Sequence, residues 1–268
     1  MRTSFLGNFF GRHLPGWLLV LALIGGWEAI ARAEFFSPIF FPTATAVGKS
    51  LWALTASGQL PRNLAASLAN LFAGYLLAAA VAIPAGILIG YYERLGKLFL
   101  PAIELIRPLP ATAIIPLALL ALGTGPVEKI FIVFFACSRT IIVNALYGAQ
   151  CVDPRLIETA RSYGYAGLRL VWRVVVPSAL PQVMTGLRIS LAIAVVVIIG
   201  AEILGSEIGI GYLSMVFQRG YETDQMYACV VTLCLLGYVL NHAFLWLERR
   251  IMGWYIQQQM SGQAGAAG

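Results

Sequence analysis

Charge is scarce in this sequence. Lys, Arg, Asp and Glu make up 11% of its 268 residues, hydrophobic residues make up 59%, and the mean hydropathy is +0.81. A soluble domain carries about 25% charged residues, so the polar surface needed to cover a water-soluble globule of this size is missing. A disordered chain is excluded on the same ground, since its composition would be polar. The net charge of +6 comes from 18 basic and 12 acidic residues. It does not form a nucleic-acid-binding patch, because much of it lies in short runs between apolar blocks. That is the pattern of a multi-spanning membrane protein, with the lipid bilayer and not nucleic acid as its surroundings.

Catalytic and metal-binding side chains are equally sparse. The two histidines, His13 and His242, stand alone. Four cysteines, Cys137, Cys151, Cys229 and Cys234, form no C-x-x-C and have no His at metal-ligand spacing. A disulfide-framed secreted domain is therefore excluded, and no metal site is expected. There is no H-E-x-x-H and no G-x-S-x-G, and the only aspartates, Asp153 and Asp224, are expected on opposite sides of a membrane. Gly48-Lys49-Ser50 ends like a phosphate-binding loop, but Thr43 stands where its first Gly belongs. Gly90 to Gly96-Lys97 is one residue too long, with Leu98 where a magnesium-binding Ser or Thr should be. No catalytic residue and no cofactor is expected in this chain. A membrane enzyme and a membrane scaffold are kept as alternatives of a different class.

What is abundant is long apolar sequence. A bilayer core requires about 20 mostly apolar residues as a helix. Six spans are expected, at about Leu14–Ala31, Leu64–Tyr91, Leu98–Leu122, Ile130–Gln150, Pro177–Leu204 and Met226–Leu247. The fold class is thus an all-α polytopic membrane protein with six transmembrane helices. Glu28 interrupts the first span. That span has a rival reading as a signal peptide, with Arg2 and Arg12 ahead of it and Ala31-Arg32-Ala33 as the cleavage site. Glu28 and Arg32 crowd such a site, and a retained helix gives the next span a consistent entry side. With the N-terminus inside, the inner segments hold Arg2, Arg12, Arg94, Lys97, Arg155, Arg161, Arg169, Arg173, Arg249 and Arg250. The outer ones hold Arg32, Lys49, Arg62, Lys129 and Arg219. This asymmetry places both termini in the cytoplasm.

Four ionisable residues fall at membrane depth: Arg107, Arg139, Arg188 and Glu202. Such groups cost about 2.5–3.5 kcal/mol on insertion scales, so each should face protein or a water-filled path. Pairing within the protein and contact with a solute are both open for each. Arg188 and Glu202 are 14 residues apart, about 21 Å along a helix, so they cannot pair within one straight helix. Gly74, Gly86 and Gly90 in the second span, and Gly186 and Gly200 in the fifth, allow close helix approach. Pro84, Pro108, Pro110 and Pro116 free carbonyls that the bundle or water must satisfy.

The longest polar interruption runs from Val152 to Arg173. Asp153 can cap a helix there, Pro154 suits its first position, Arg155–Tyr163 forms its body and Gly164 ends it. Such a helix is too short and too charged to enter lipid. With small Ala160 on one side it makes a knob for a partner's groove; an interfacial linker is the alternative.

The spacing in this region resembles a known signature. Glu158-Thr159-Ala160, three residues, Gly164, nine residues and Val174-Val175-Val176-Pro177 resemble the EAA loop of ABC-importer permeases. Thr159 replaces one Ala, and Val174 and Val176 replace Ile and Leu. The resemblance continues through Pro177-Ser178-Ala179-Leu180-Pro181, Thr185-Gly186-Leu187-Arg188 and Ala201-Glu202-Ile203-Leu204. Glu104-Leu105-Ile106-Arg107-Pro108-Leu109-Pro110, Phe41-Pro42-Thr43 and Gly209-Ile210-Gly211-Tyr212-Leu213 are similar to the nitrate, sulfonate and taurine branch.

The resemblance implies a type I ABC-importer bundle in a bacterial inner membrane. One permease domain would cover residues 1–268, with a basic tail at 1–13, a coupling region at 153–173 and a flexible tail at 255–268. A second permease chain would complete the pathway as a homodimer, two ATPase subunits would bind ATP and Mg, and a periplasmic or lipid-anchored binding protein would deliver the solute. Asp153, Pro154, Arg155, Glu158, Thr159, Ala160, Arg161, Gly164 and Pro177 would couple to the ATPases, with Gly164 as pivot. Arg107, Arg139, Arg188, Glu202 and Val195 would line the path. The implied cargo is a small anionic or zwitterionic solute such as a sulfonate, taurine or nitrate. Bicarbonate, a pyrimidine thiamine precursor, riboflavin and an aromatic acid are the alternatives. Val195, Ala121 and Leu122 are smaller than the aromatic residues common in that branch, which implies a wider or less aromatic path.

Overall fold

The computed structural model describes residues 4–33, 35, 37 and 39–253. Their regular structure is helical, with no strand among the described residues. In chain order the helices are α1 (Ser4–Arg32), α2 (Ala44–Ala56), α3 (Gln59–Tyr91), α4 (Glu93–Ile106), α5 (Ala111–Leu122) and α6 (Pro126–Gln150). They continue with α7 (Pro154–Ser162), α8 (Gly167–Leu170), a π-helical turn (Val171–Val175), α9 (Val176–Gly205), α10 (Ile210–Arg219) and α11 (Thr223–Ile251).

Four of the expected spans are found in α3, α6, the 167–205 segment ending in α9, and α11, each long and apolar enough to cross a membrane. The expected first span lies in α1, where the side chains of residues 4–15 and of Trp17 are outside the described ones. The expected C-terminal tail at 255–268 also lies outside the described residues. The third span requires a correction. It is not one helix from Leu98 to Leu122 but α4 and α5, bent by 91° at a short break. Pro108 and Pro110 contribute to the bend: neither can donate to the helical ladder, and Pro110 is extended at φ −67° and ψ 129°, while Arg107 before Pro108 is still helical.

The helix resumes sooner than expected after α7. The linker region was expected to run to Arg173, but α8 begins at Gly167 and leads through the π turn into α9. Pro177 and Pro181 lack N–H donors, and the ladder adjusts just before them, with the Val176 N–H reaching back to the Val171 carbonyl. A wider turn of this kind accommodates a local disruption of the α-helical bonding.

The chain gathers into two compact units, residues 1–62 with 213–232 and residues 63–212 with 233–268. In the first, the Trp27 indole N–H donates to the Pro42 carbonyl at 3.0 Å, and its ring packs against Phe41 and Tyr227. Glu28, which interrupts the first expected span, is satisfied here. It accepts from Arg32 at 2.8 Å, from the Thr45 N–H at 3.1 Å and from the Thr45 hydroxyl at 2.9 Å. Ser50 donates to Asp224.

In the second unit α6 and α9 form the principal helix pair, and α5 packs against both. Leu71, Val133, Cys137, Ile141, Ala194 and Ile198 are central to its apolar core. The α3 glycines explain how two helices approach so closely. A Cβ on Gly74 would stand 2.7 Å from the Ile130 carbonyl, and one on Gly86 would stand 2.6 Å from the Ile142 carbonyl. No side chain fits at either position, which is the small-residue packing expected from sequence.

Candidate functional site

The short helix α7 is built by its two ends. Asp153 accepts from the Arg155 N–H at 2.8 Å, and Pro154 occupies the first turn, where no N–H is required. At the other end Gly164 has φ of +81°, a left-handed conformation that favours glycine. The Tyr165 N–H then bonds to the Ala160 carbonyl at 3.0 Å and the Gly164 N–H to the Arg161 carbonyl at 2.9 Å. This left-handed closure satisfies carbonyls that the helix end leaves open.

Between those ends, two side chains hold α7 to the rest of the second unit. Ala160 is buried and Ile157 half-buried, one turn apart, in a cluster with Val152, Leu170, Val171 and Val175. The expectation for Ala160 is therefore corrected. It faces inward as an anchor, because a three-residue spacing puts it on the same face as Ile157. Arg155, Leu156, Glu158, Thr159, Arg161 and Tyr163 are exposed. Arg155, Glu158 and Arg161 form no ion pair among the described residues. Trp172, beyond the helix, is also exposed, and Pro177 lies on an exposed face of α9 and not in the loop. Next to α7 is a cleft of about 630 Å³ whose lining includes Tyr91, Tyr92, Lys97, Ile157 and Arg161.

The five residues expected along a path are not gathered together. Arg107 caps the end of α4 at the bend, exposed and 3.5 Å from Glu104. Arg139 reaches from α6 to the same bend. Its guanidinium donates to the carbonyls of Ile106, at 3.3 Å, and Leu109, and it lies 4.8 Å from the Phe135 ring centre. Arg139 thus adds donors at the bend, where Pro110 has no N–H to offer the Ile106 carbonyl and, among the described residues, that carbonyl otherwise accepts only from the Leu109 N–H at 3.1 Å. Arg188 and Val195 do share a cleft, of about 150 Å³, with Leu240, Asn241 and Phe244. Glu202 is elsewhere, near the end of α9, and only 1% exposed.

The surroundings of Glu202 are the part that sequence reasoning missed. Three successive N–H groups at the start of α10 are each held by a different side chain. Gly209 donates to Asn63 at 2.8 Å, Ile210 to Ser67 at 3.0 Å and Gly211 to Glu202 at 2.9 Å. A Cβ on Gly209 would collide with the Glu202 carboxylate. Glu128 and Lys129 are also buried, at 0% and 4% exposure, and Lys129 donates to the Gly125 carbonyl at 3.2 Å. The expectation that Lys129 lies in an outer loop is corrected, since α6 begins earlier, at Pro126. The glycine pair Gly209 and Gly211 was the available signal that a backbone is approached closely here.

The comparisons with known proteins bear on the whole of this arrangement. Residues 82–253 match the family model described as binding-protein-dependent transport system inner membrane component. The chain belongs to that family. It is an ABC transporter permease component, a membrane subunit and not an enzyme. The permease is 30% identical to the taurine transport system permease protein TauC of Escherichia coli, over 91% of this chain and 90% of that one. It is 31% identical to the bicarbonate transport system permease protein CmpB of Synechococcus elongatus, over 70% of this chain and 68% of that one. An inward-facing structure of the MetNI methionine ABC transporter shares its fold, with a TM-score of 0.64 at 21% identity, covering 72% of the permease and 95% of that chain.

Proposed function

We propose that the permease forms the pathway of an ATP-driven importer and receives its drive through α7. The observation that carries this reading is the contrast within that helix. Its ends are closed by Asp153 and Gly164 and its inner face is anchored by Ile157 and Ala160, while its other side chains are exposed. A firmly seated helix whose charges form no ion pair among the described residues, with Leu156 and Tyr163 exposed, suits a groove on another polypeptide. Separate ATPase subunits, which bind ATP and Mg, are that partner. A second permease chain completes the pathway and a binding protein delivers the solute. In this reading α7 and both termini lie on the cytoplasmic side of the inner membrane, which the Lys and Arg asymmetry supports. ATP-driven closure of the ATPases moves α7 and with it α8 and the π turn that leads into α9, against whose Leu170, Val171 and Val175 its inner face packs.

The cargo in this reading is a small anionic or zwitterionic solute of the sulfonate, taurine or nitrate type. Its support is the relation to TauC and the positive charge of Arg188 in α9, which pairs with none of the described residues. Bicarbonate is the second reading, on the relation to CmpB.

The test is Glu158→Lys in the complex reconstituted with its ATPase and binding protein. Reversing a charge in an interface costs several kcal/mol where it meets like charge, so solute-stimulated ATP hydrolysis and uptake should fall by about tenfold or more. Membrane insertion should be unchanged. Full solute-stimulated hydrolysis in the variant would remove α7 from the coupling role.

A further inference from the structure

The cleft between α9 and the 233–251 part of α11 contains an unpaired cation. Arg188 is about 18 Å from the start of α9 and about 26 Å from its end, at 1.5 Å per residue. It makes no hydrogen bond, ion pair or ring contact among the described residues, unlike Arg139, whose donors meet two carbonyls. Asn241 lines the same cleft and is likewise without a hydrogen-bond partner among the described residues. A guanidinium at that depth requires an acceptor, and its planar array of donors matches a carboxylate or sulfonate. The amide of Asn241 adds one more donor group.

The rest of the lining is apolar. Leu191 and Phe244 are buried, Val195 and Leu240 are partly buried, and no Asp or Glu lines the cleft. Val195 is seven residues from Arg188, about 10 Å along α9. The cleft volume of about 150 Å³ is well below the roughly 300–1,000 Å³ of pockets for drug-sized ligands.

We propose that this cleft is a binding site for the carried solute and selects a compact organic monoanion with an apolar tail. The oxyanion is held by Arg188 and Asn241, and the tail lies on Leu191, Val195, Leu240 and Phe244. A zwitterion is disfavoured, because its ammonium group would lie on apolar side chains with no carboxylate to receive it. A bare inorganic anion is also disfavoured, because it leaves the apolar part of the cleft without contact. The proposal rests on the importer reading and narrows its cargo.

Propane-1-sulfonate and taurine make a near-isosteric pair, differing by a methyl in place of an ammonium group. Equilibrium binding of each, and of nitrate, is measured on the full chain in lipid nanodiscs, where no binding protein sets the selectivity. Saturable propane-1-sulfonate binding is expected, with taurine and nitrate weaker by about tenfold or more, since a desolvated ammonium lacks a partner. Arg188→Ala should abolish binding and Asn241→Ala should weaken it by about tenfold. Arg188→Lys should keep part of it, because the charge remains without the planar fork. Size-exclusion mass measured on each variant separates a ligand contact from a contact between protomers. Equal or tighter taurine binding, binding that survives Arg188→Ala, or an Arg188→Ala chain that loses its oligomeric state would overturn the proposal. ATP-dependent uptake by the reconstituted wild-type complex is measured in parallel. Uptake without propane-1-sulfonate binding overturns the cleft assignment and leaves the importer reading standing. No ATP-dependent uptake of any of the three solutes, nor of bicarbonate, overturns both.

Discussion

The two ends of α9 treat charge in opposite ways. At its beginning stands α7, whose Arg155, Glu158 and Arg161 remain in solvent without ion pairs among the described residues. At its far end, about 45 Å away along the 30 residues of α9 at 1.5 Å each, Glu202, Glu128 and Lys129 are buried. There the chain provides hydrogen-bond partners for two of them, since Glu202 holds the Gly211 N–H and Lys129 holds the Gly125 carbonyl, while among the described residues Glu128 has only Lys129, at 4.0 Å. A charge that is bonded within the chain serves the fold. A charge left exposed on a well-anchored helix is available to another molecule. The difference separates an end that fastens a loop from an end that presents a surface.

Substitutions at the fastened end should have the largest effect on the permease itself. Gly209→Val places a branched side chain where the Glu202 carboxylate stands, at a backbone φ of +132°. Overpacking and backbone strain together predict a loss of about 3–5 kcal/mol. Thermal unfolding in detergent, and the amount of folded chain in membranes, would register it. Glu202→Ala should follow with about 1–3 kcal/mol, because it leaves the buried Gly211 N–H without its acceptor. If Gly209→Val unfolded at the wild-type temperature, the fastening role of this end would be wrong.

The two ends also differ in how far the sequence disclosed them. The α7 end is local: cap, Pro154, body and Gly164 occupy one stretch, so its helix could be read from spacing alone. What spacing could not show was the inward face of Ala160, because that depends on Leu170, Val171 and Val175 arriving from further along the chain. The Glu202 end is non-local. Asn63 and Gly209 are 146 residues apart, and no periodicity links them. The long apolar spans were legible because lipid imposes length and hydrophobicity on each segment separately. The break between α4 and α5 was present in the sequence as Pro108 and Pro110, but apolar flanks concealed it. Arg139 illustrates the same limit. Its depth was readable, while its use on the Ile106 and Leu109 carbonyls required the bend to be known.

At the presenting end the effects on folding should be smaller and those on transport larger. Gly164→Val forces a branched residue into a left-handed conformation and should cost about 1–3 kcal/mol. It would also disturb the Tyr165 to Ala160 bond that closes α7, so uptake by the reconstituted complex should fall more than the amount of folded chain. Asp153→Ala removes the cap and should cost about 1 kcal/mol. Unchanged melting in both variants would mean that α7 is not held by its ends.

The smallest effect on the chain, and the sharpest test of the comparison, comes from Arg155→Gln with Arg161→Gln. Both side chains are exposed and neither belongs to an ion pair among the described residues, so unfolding should shift by no more than about 0.5 kcal/mol. Association with the ATPase should nevertheless weaken, and the salt dependence of that association should flatten, because exposed charges act across an interface through a screened field. Titrating the ATPase onto the permease at two salt concentrations measures both effects. A large loss of chain stability would place these charges inside the fold with Glu202. Unchanged affinity and salt dependence would leave them as solvated surface, and the surface α7 offers a partner would then reduce to Leu156, Glu158 and Tyr163.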